Sequence, residues 1–421
     1  FCSEVQFSQV QGRSIVADIP REGHGQKSGR ATVFAGDVAF LSSRFTEKCN
    51  FHGVRFQKYA NFKKCVLEKG GDFNQSEFGQ VVSFWETQSP EPIHFRNAHF
   101  SGRTQFGKVT FGAKSSFNEA VFDEETTFFD SEALGDIFFS YASFGKDFKI
   151  RSLKVQGGVG LQKITVEGKL KITDCEVKDR FILSESALNS SALISGFRVG
   201  TWGTLSKTLV RGELDMDGLQ VGWNLPESKR NDKKEEPENN EKEEKKGEPE
   251  KEEKAEFIPG SFYLNEIVVH GVLDLSGANI HGQLNLEKAN VYGEADLTRS
   301  WVGSDLVLDK SYFRGIVRIG STRCEEIVSF KARFKEEVSF DAVKCRHIRL
   351  SASSFDGGFT MRGAQIDGKL NLNGVDVDGK ADLFKCEFKE IFFRNFLVDH
   401  LLIDRASLGQ ELSSEKLRNY E

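Results

Sequence analysis

Seven cysteines are the side chains in this sequence that could form disulfide bonds or bind a soft metal ion. A structural zinc site uses closely spaced ligands such as Cys-x-x-Cys, and no two cysteines here have that spacing. Because a free cysteine packs like a small apolar residue, we interpret six of the seven as core residues and not as ligands. These six fall on inward positions of a regular repeat, at Cys49, Cys65, Cys175, Cys324, Cys345 and Cys386.

The eight histidines also lack the spacing of metal ligands. His270 and His281 are one repeat unit apart, which would place them on opposite sides of the two-unit coil that the repeat indicates. His94 and His99 share one repeat unit at positions expected to face outward. We therefore predict no metal site among them.

A modest acidic cluster lies at 123–125, continuing with Asp130, Glu132 and Asp136. Such a patch could bind a cation or a basic partner. Outward positions of any solenoid are charged, however, and we favour a solvated face.

Signatures of common catalytic sites are absent, including Gly-x-Ser-x-Gly, the P-loop and the dinucleotide-binding motif. The formal net charge is −6, and the segment 227–256, with 13 acidic and 9 basic residues, accounts for −4 of it. The remaining chain therefore has neither a basic surface for nucleic acid nor a strongly acidic surface that imitates it. We predict a protein without enzymatic activity, with no catalytic, cofactor-binding or metal-binding residues and no cofactor.

A spacing of eleven residues organises most of the chain. From Phe51, every eleventh residue as far as Met216 is large and apolar. A second series starts five residues later at Phe56 and runs to Val221, with Ser89 as its exception.

The same pattern resumes after the charged segment at Leu264. It loses one residue around Phe334 and another near Leu350, after which Phe355 restores it.

A small or aliphatic residue lies two positions before each large one, as in Leu284 before Leu286. Residues i and i−2 point to the same side of an extended chain, whereas an amphipathic helix would space its apolar residues three or four apart. All seven prolines fall outside the well-formed units, where their missing N–H breaks no ladder. The pattern predicts short strands that bury their apolar side only by stacking coil upon coil.

This small-x-large unit resembles the motif of the pentapeptide-repeat family, over roughly residues 31–225 and 260–403. The extra residue in every second unit resembles the family's paired subtype. The runs that carry the resemblance include Ala60-Asn61-Phe62, Ala98-His99-Phe100, Ala120-Val121-Phe122, Ala142-Ser143-Phe144, Ala278-Asn279-Ile280 and Ala295-Asp296-Leu297.

The resemblance implies an all-β fold, a right-handed quadrilateral parallel β-helix (a β-solenoid) whose coil takes up two eleven-residue units. Some fifteen coils at about 4.8 Å per coil would form a rod on the order of 70 Å long. Handedness does not follow from the spacing alone.

We divide the chain into five parts. Residues 1–30 form an N-terminal cap or irregular first coil, 31–225 and 260–403 form the solenoid, and 404–421 form a short C-terminal cap helix. Segment 226–259 has almost no apolar residues and is interpreted as a disordered loop. A helical hairpin or a partner-binding tail is its alternative, because mixed Lys and Glu support helix through i,i+4 pairs.

The leading functional hypothesis is a non-catalytic structural or protein-interaction scaffold that binds a protein partner of unknown identity or assembles end to end with its own copies. One alternative is a duplex-DNA mimic that modulates a type II topoisomerase, as some pentapeptide-repeat proteins do. Another is a β-helix enzyme that acts on polysaccharides. No apolar run is long enough to span a membrane as a helix, and we expect a cytoplasmic protein or a soluble part of a membrane-associated or exported bacterial protein.

Overall fold

The computed structural model describes residues 4–8, 11–12, 32–225 and 257–408. Within these residues the chain is all-β, without a helix, and it forms a parallel β-solenoid of about 15 turns. Each turn contributes short strands to four columns, and strands in one column pair in parallel with those of the turns above and below. The predicted β-solenoid is thus confirmed.

Strand bounds follow the columns in chain order. Column 1 contains Val33–Phe34, Arg55–Phe56, Glu77–Phe78, His99–Phe100, Val121–Phe122, Ser143–Phe144, Thr165–Val166, Ala187–Leu188, Leu209–Val210, Val268–Val269, Asn290–Val291, Tyr312–Phe313, Arg333–Phe334 and Ser354–Phe355. Column 2 contains Glu4–Ser8, Asp37–Leu41, Ala60–Asn61, Val82–Ser83, Thr104–Gly107, Thr126–Phe129, Phe148–Arg151, Leu170–Thr173, Ala192–Ser195, Leu214–Asp215, Leu273–Asp274, Ala295–Asp296, Val317–Arg318, Val338–Ser339 and Phe359–Thr360.

The other two columns complete each coil. Column 3 contains Gln11–Gly12, Arg44–Phe45, Val66–Leu67, Thr110–Phe111, Glu132–Ala133, Lys154–Val155, Glu176–Val177, Arg198–Val199, Gln220–Val221, Asn279–Ile280, Trp301–Val302, Lys344–Cys345 and Ser407–Leu408. Column 4 contains Cys49–Asn50, Gly71–Asp72, Ile93–His94, Ser115–Ser116, Ile137–Phe138, Val159–Gly160, Phe181–Ile182, Gly203–Thr204, Phe262–Tyr263, Leu284–Asn285, Asp305–Val307, Glu326–Val328 and His347–Arg349. Near the end, four longer strands each span two columns: Gln365–Asn371, Asp376–Asp382, Glu387–Phe392 and Leu397–Leu402.

The register reproduces the repeat. Phe78 aligns with Phe100 and Val82 with Thr104, and in both cases the partners are two repeat units apart in the chain. The large and small positions of each unit point inward and are almost fully buried from Val38 to Phe388. Because all of these side chains belong to one contiguous cluster, the core is a single column of stacked side chains along the rod.

Polar residues at the small inward position are satisfied by a recurrent hydrogen bond. Ser76 Oγ donates to the carbonyl of Phe51 at 2.8 Å, and Thr208 Oγ1 donates to that of Leu183 at 2.7 Å. The same bond recurs at Ser300, whose hydroxyl donates to Leu275 at 2.9 Å. A buried hydroxyl without a partner would destabilise the fold, so this bond explains why Ser and Thr are tolerated inside.

One corner residue in every eleven adopts a left-handed backbone conformation. Examples are Lys108 (φ 54°), Glu119 (φ 60°), Asp130 (φ 49°) and Tyr141 (φ 62°). Left-handed backbone is unfavourable for residues with a Cβ atom. Glycine occupies the same corner only at a minority of coils, for example at Gly196 (φ 58°).

The repeat departs from its regular spacing in the first turn, at the charged segment and at several corners after Val302. Glu4 aligns with Asp37, so the first turn spans three repeat units instead of two. Thr204 aligns with Tyr263, and this turn is much longer than the others because the charged segment leaves the coil between columns 3 and 4. The loop expected at 226–259 lies mostly outside the described residues.

Four corners of the described coils are each one residue shorter than the regular corner, and two of them lie within Glu387–Phe392 and Leu397–Leu402. The sequence pattern placed two lost residues around Phe334 and near Leu350, whereas the structure places the first two at the corner between columns 3 and 4. Val302 precedes the next inward residue, Leu306, by four positions, whereas Cys324 precedes Ile327 by three. Cys345 likewise precedes Ile348 by three, so these two shortened corners lie on successive coils.

The coil continues beyond Ile403, where we expected the solenoid to end. Ser407–Leu408 forms a further strand and pairs with Glu387 and Phe388. The described part of the expected helix at 404–421 is therefore a turn and a strand. Residues 409–421 lie outside the described residues.

Candidate interaction surfaces

The inward cysteines are part of the core. Cys49, Cys65, Cys175 and Cys386 are all buried. Burial raises the pKa of Cys65 and Cys175 to about 11 and that of Cys386 to about 12. These last three thiols are therefore protonated and unreactive at neutral pH, as expected of packing residues.

Cys324 and Cys345 form a different arrangement, because they meet across successive coils of column 3. Cys324 is partly exposed and Cys345 is 5% exposed. The side-chain contact with Cys345, together with burial, raises the pKa of Cys324 well above its ordinary value. Neither the contact nor its position was predicted from the sequence. The two cysteines are separated by almost two repeat units, and this spacing could have indicated that they lie on successive coils.

The histidines lie apart from one another. His270 follows column 1 and contacts Tyr292, whereas His281 follows column 3 and contacts Trp301. His99 Nε2 lies 2.8 Å from Asp123 Oδ2. Burial lowers the pKa of His94, which is half-buried on column 4.

The described residues contain no group of three or more His, Cys, Asp or Glu side chains arranged to hold a metal ion.

The acidic cluster of the sequence is distributed around the coil and paired with nearby polar groups. Glu125 bonds to Lys149 and lies 3.4 Å from Arg103. Asp136 Oδ1 accepts a hydrogen bond of 2.7 Å from the backbone of Gly158, and Asp136 Oδ2 lies 3.5 Å from Arg180. The structure therefore brings no two of these carboxylates together around a vacant centre.

Similar pairs join successive coils elsewhere along the rod. Arg55 lies 3.0 Å from Glu77, and Arg318 lies 2.6 Å from Glu294. Exposed pairs of this kind each contribute only about 0 to 1 kcal/mol to stability. Like charges are also aligned on successive coils, as at Asp274 and Asp296, so opposite charges are interleaved on the surface without a regular alternation.

Concavities on the described surface are shallow. One open depression of about 680 Å³ lies beside the 87–92 turn and is lined by Arg44, Glu68 and Gln88 among others. A second of about 560 Å³ lies over Cys324 and Cys345. Neither of these two depressions encloses a small molecule in the manner of an active-site cleft.

Aromatic residues fix both bases of the charged insertion. Arg198 stacks on Trp223 at 4.3 Å on the outgoing side. Phe257 stacks on Trp202 at 4.0 Å on the returning side, where the Tyr263 hydroxyl also accepts a hydrogen bond from the Ile258 amide at 2.7 Å. The insertion therefore begins and ends at rigid points of the rod.

The last described coil exposes apolar side chains. Leu397 is 64% exposed, Ile403 56%, Phe393 45% and Leu401 43%. Inward residues of the preceding coils are almost fully buried, so apolar side chains are far more exposed at this end of the described rod than in the coils before it.

The fold and the surfaces define a class, the parallel β-solenoid repeat proteins. No protein-family model, no curated protein and no solved structure matches this chain. No helix in the described part of the chain is long and apolar enough to cross a membrane.

Proposed function

We propose that the chain is a pentapeptide-repeat protein that acts as a non-catalytic scaffold. Its coils form a right-handed quadrilateral β-helix, and its outward columns bind a protein partner. The small-x-large motif and the four strand columns of each two-unit coil support the family proposal.

A single observation carries the scaffold proposal. The inward positions are filled by side chains that stack coil on coil, and many outward charges are paired between coils. The outward surface of the columns is stiff, flat and polar. Such a surface suits a spacer or a platform for a macromolecule better than a small-molecule site.

Solution shape is the first test. Light scattering combined with small-angle X-ray scattering on residues 1–421 should give a rod with a long dimension on the order of 70 Å. A compact sphere of the same mass would contradict the rod on which the scaffold proposal depends.

The exposed apolar end supports end-to-end assembly as one form of the scaffold. Leu401 and Ile403 would be buried if two copies met at this end, which would make the association hydrophobic. We expect the mass from light scattering to rise with protein concentration, and Leu401→Glu to prevent that rise. The matched control is Leu134→Glu, which changes an exposed leucine on the side of the rod. A monomer at all concentrations, or equal loss with both variants, would contradict end-to-end assembly.

Two assays separate the scaffold from the other classes of function. If micromolar protein inhibited supercoiling by a bacterial gyrase, the scaffold proposal would give way to a duplex-DNA mimic. If the protein turned over any acidic glycan in a panel, the scaffold proposal would give way to an enzyme. We expect neither, because Lys and Arg are interleaved with the carboxylates of the rod.

A further inference from the structure

Two thiols lie one above the other at the only place where cysteines follow each other in one column of the described coils. Arg323 pairs with Lys344 across successive coils, and the Cys324 amide donates a hydrogen bond of 3.2 Å to the Lys344 carbonyl. Cys324 and Cys345 are therefore in register, and their side chains interact. Both are free cysteines.

The location of this pair coincides with two of the four shortened corners in the described coils. Val302 and Ile366 occupy the equivalent inward position in the coils before and after the pair. Cysteine replaces them in two successive coils whose following corner is one residue shorter, whereas the shortened corner after Phe388 has no cysteine. Two soft sulfur ligands therefore lie one above the other at the margin of the core.

Strand spacing disfavours a direct bond between the sulfurs. Adjacent strands lie about 4.7 to 4.9 Å apart, and the side chains of two residues in register point in the same direction from their strands. The two side chains therefore stay about one strand spacing apart. An unstrained disulfide needs Cβ atoms about 3.5 to 4.5 Å apart. An ion held between the two sulfurs bridges a wider gap than a disulfide does. Soft thiolate ligands suit Cu(I), zinc and iron–sulfur clusters. Zinc sites and iron–sulfur clusters take about four protein ligands, whereas Cu(I) can be held by two, which is the number that this pair supplies.

Access and charge also suit such an ion. The open depression of about 560 Å³ is lined by both cysteines. A monovalent ion between two thiolates has a net charge of −1, which nearby cations stabilise. Four basic and two acidic side chains line the depression with the cysteines: Arg323, Lys344, Arg346, Lys389, Glu325 and Asp367.

We propose that Cys324 and Cys345 form a binding site for one soft monovalent metal ion, Cu(I), coordinated by the two sulfurs. Each thiol releases its proton to solvent and donates a sulfur lone pair to the ion, whose oxidation state does not change. The site needs only two protein ligands. It is independent of the scaffold function and would persist if the rod had another role.

The test is an anaerobic titration of the full chain with Cu(I) against a competing chromophoric chelator. We expect one Cu(I) per chain that withstands competition, and an X-ray absorption spectrum with two sulfur neighbours. In the variant Cys324→Ser/Cys345→Ser the affinity for Cu(I) should fall at least tenfold. Its melting temperature should stay the same, because the fold already accepts a serine at a large inward position, at Ser329. Cys175→Ser is the matched control, since Cys175 is buried without a neighbouring cysteine, and it should bind as the wild type does.

Three results would overturn the proposal. One is the absence of Cu(I) binding by the reduced wild-type chain. Another is binding that survives in the double variant, which would place the ion elsewhere. The third is loss of binding in Cys175→Ser to the same extent, which would trace the effect to folding and not to the thiol pair.

Discussion

The phenylalanine-rich coils and the aliphatic coils fill the same cross-section in two different ways. Before Ile150, columns 1, 2 and 4 each hold a stack of phenylalanine rings with centroids 4.5 to 5.3 Å apart. After Ile150 the large position is mostly Leu, Ile or Val, and in several coils a larger residue occupies the small position. In column 2 the small and large residues change from Thr126 with Phe128 to Phe148 with Ile150 and Leu170 with Ile172.

Where the small residue grows as the large one shrinks, as at Phe148 with Ile150, the pair keeps much of its combined volume. Not every coil compensates in this way, since Ala192 lies beside Ile194 in the same column. Protein interiors are packed near the density of organic crystals, so a larger residue at one position favours a smaller one beside it. Phe148 marks the exchange: its ring occupies the small position and stacks on Phe144 at 3.8 Å. A similar compensation occurs where Gly203 lies against Phe262, whose ring would collide with a Cβ atom.

The largest effect is expected from a charge in the phenylalanine stacks. Phe106 is fully buried between Phe84 and Phe128. Phe106→Asp should unfold several coils, because a buried unpaired carboxylate costs far more than the roughly 1.5 to 3 kcal/mol that a buried Phe contributes. Hydrogen exchange measured by mass spectrometry should show lost protection in the phenylalanine-rich coils first. Gln105→Asp, on the outward side of the same strand, is the control. Equal protection in the two variants would contradict the inward assignment of Phe106.

A double-mutant cycle at the junction tests volume compensation directly. Phe148→Ala should destabilise by about 3 to 5 kcal/mol through the cavity it leaves. Ile150→Phe should destabilise by about 1 to 3 kcal/mol through overpacking. Together they restore the small-then-Phe order of the preceding coils, so the double variant should be more stable than Phe148→Ala alone. The measurement is denaturant unfolding of all four proteins.

Additive free energies in that cycle would show that the two positions do not share one volume. Compensation between the positions would then be an accident of this sequence.

The inward positions could be predicted from the sequence, because apolar residue types recur there with a period of eleven. This pattern identified the inward placement of Cys49 and Cys65, which the structure confirms. It did not locate the shortened corners, because a deletion between two inward residues shifts the later pattern without marking which corner lost the residue. The contact between Cys324 and Cys345 was missed for the same reason, since it depends on register between coils.

The left-handed conformation of the corner residues could not be predicted from the sequence either. Positive φ is usually signalled by Gly or Asn, whereas here the corner is mostly occupied by Lys, Glu, Asp or Ser. Stacking above and below imposes the conformation on these residues. Lys108 is an example, because it has a φ of 54° and its Nζ lies 5.7 Å from the Trp85 ring centre.

Removal of the charged insertion should have a smaller effect. Deletion of 223–259 joins Gly222 to Gly260 and leaves three residues before Phe262, as in the corner before Gly203. The variant loses three ring contacts and the buried side chain of Leu225 at the bases of the insertion and gains a shorter loop closure. We therefore expect its unfolding free energy to fall by about 1 to 3 kcal/mol. Denaturant unfolding followed by circular dichroism measures this. A much larger loss, or two separate transitions, would show that the coils on either side do not form one unit.

The smallest effect is expected at the left-handed corners, and it should be the same in the two kinds of coil. Glu119 lies among phenylalanine-rich coils and Ser152 at the start of the aliphatic ones, with φ of 60° and 54°. A left-handed residue with a Cβ atom costs about 1 to 2 kcal/mol, and the greater freedom of unfolded glycine offsets about 0.5 to 1 kcal/mol of that gain. Glu119→Gly and Ser152→Gly should therefore each stabilise the chain by up to about 1 kcal/mol in denaturant unfolding.

Ser184→Gly is the control for these two variants, because Ser184 lies one position before the left-handed residue Glu185 and does not itself have a positive φ. Glycine there should destabilise by about 0.5 to 1 kcal/mol. If only one of the two corner variants were stabilised, the corner would depend on the core beneath it. Equal stabilisation would show instead that the backbone of every coil has the same geometry, and that phenylalanine and aliphatic cores are two fillings of one frame.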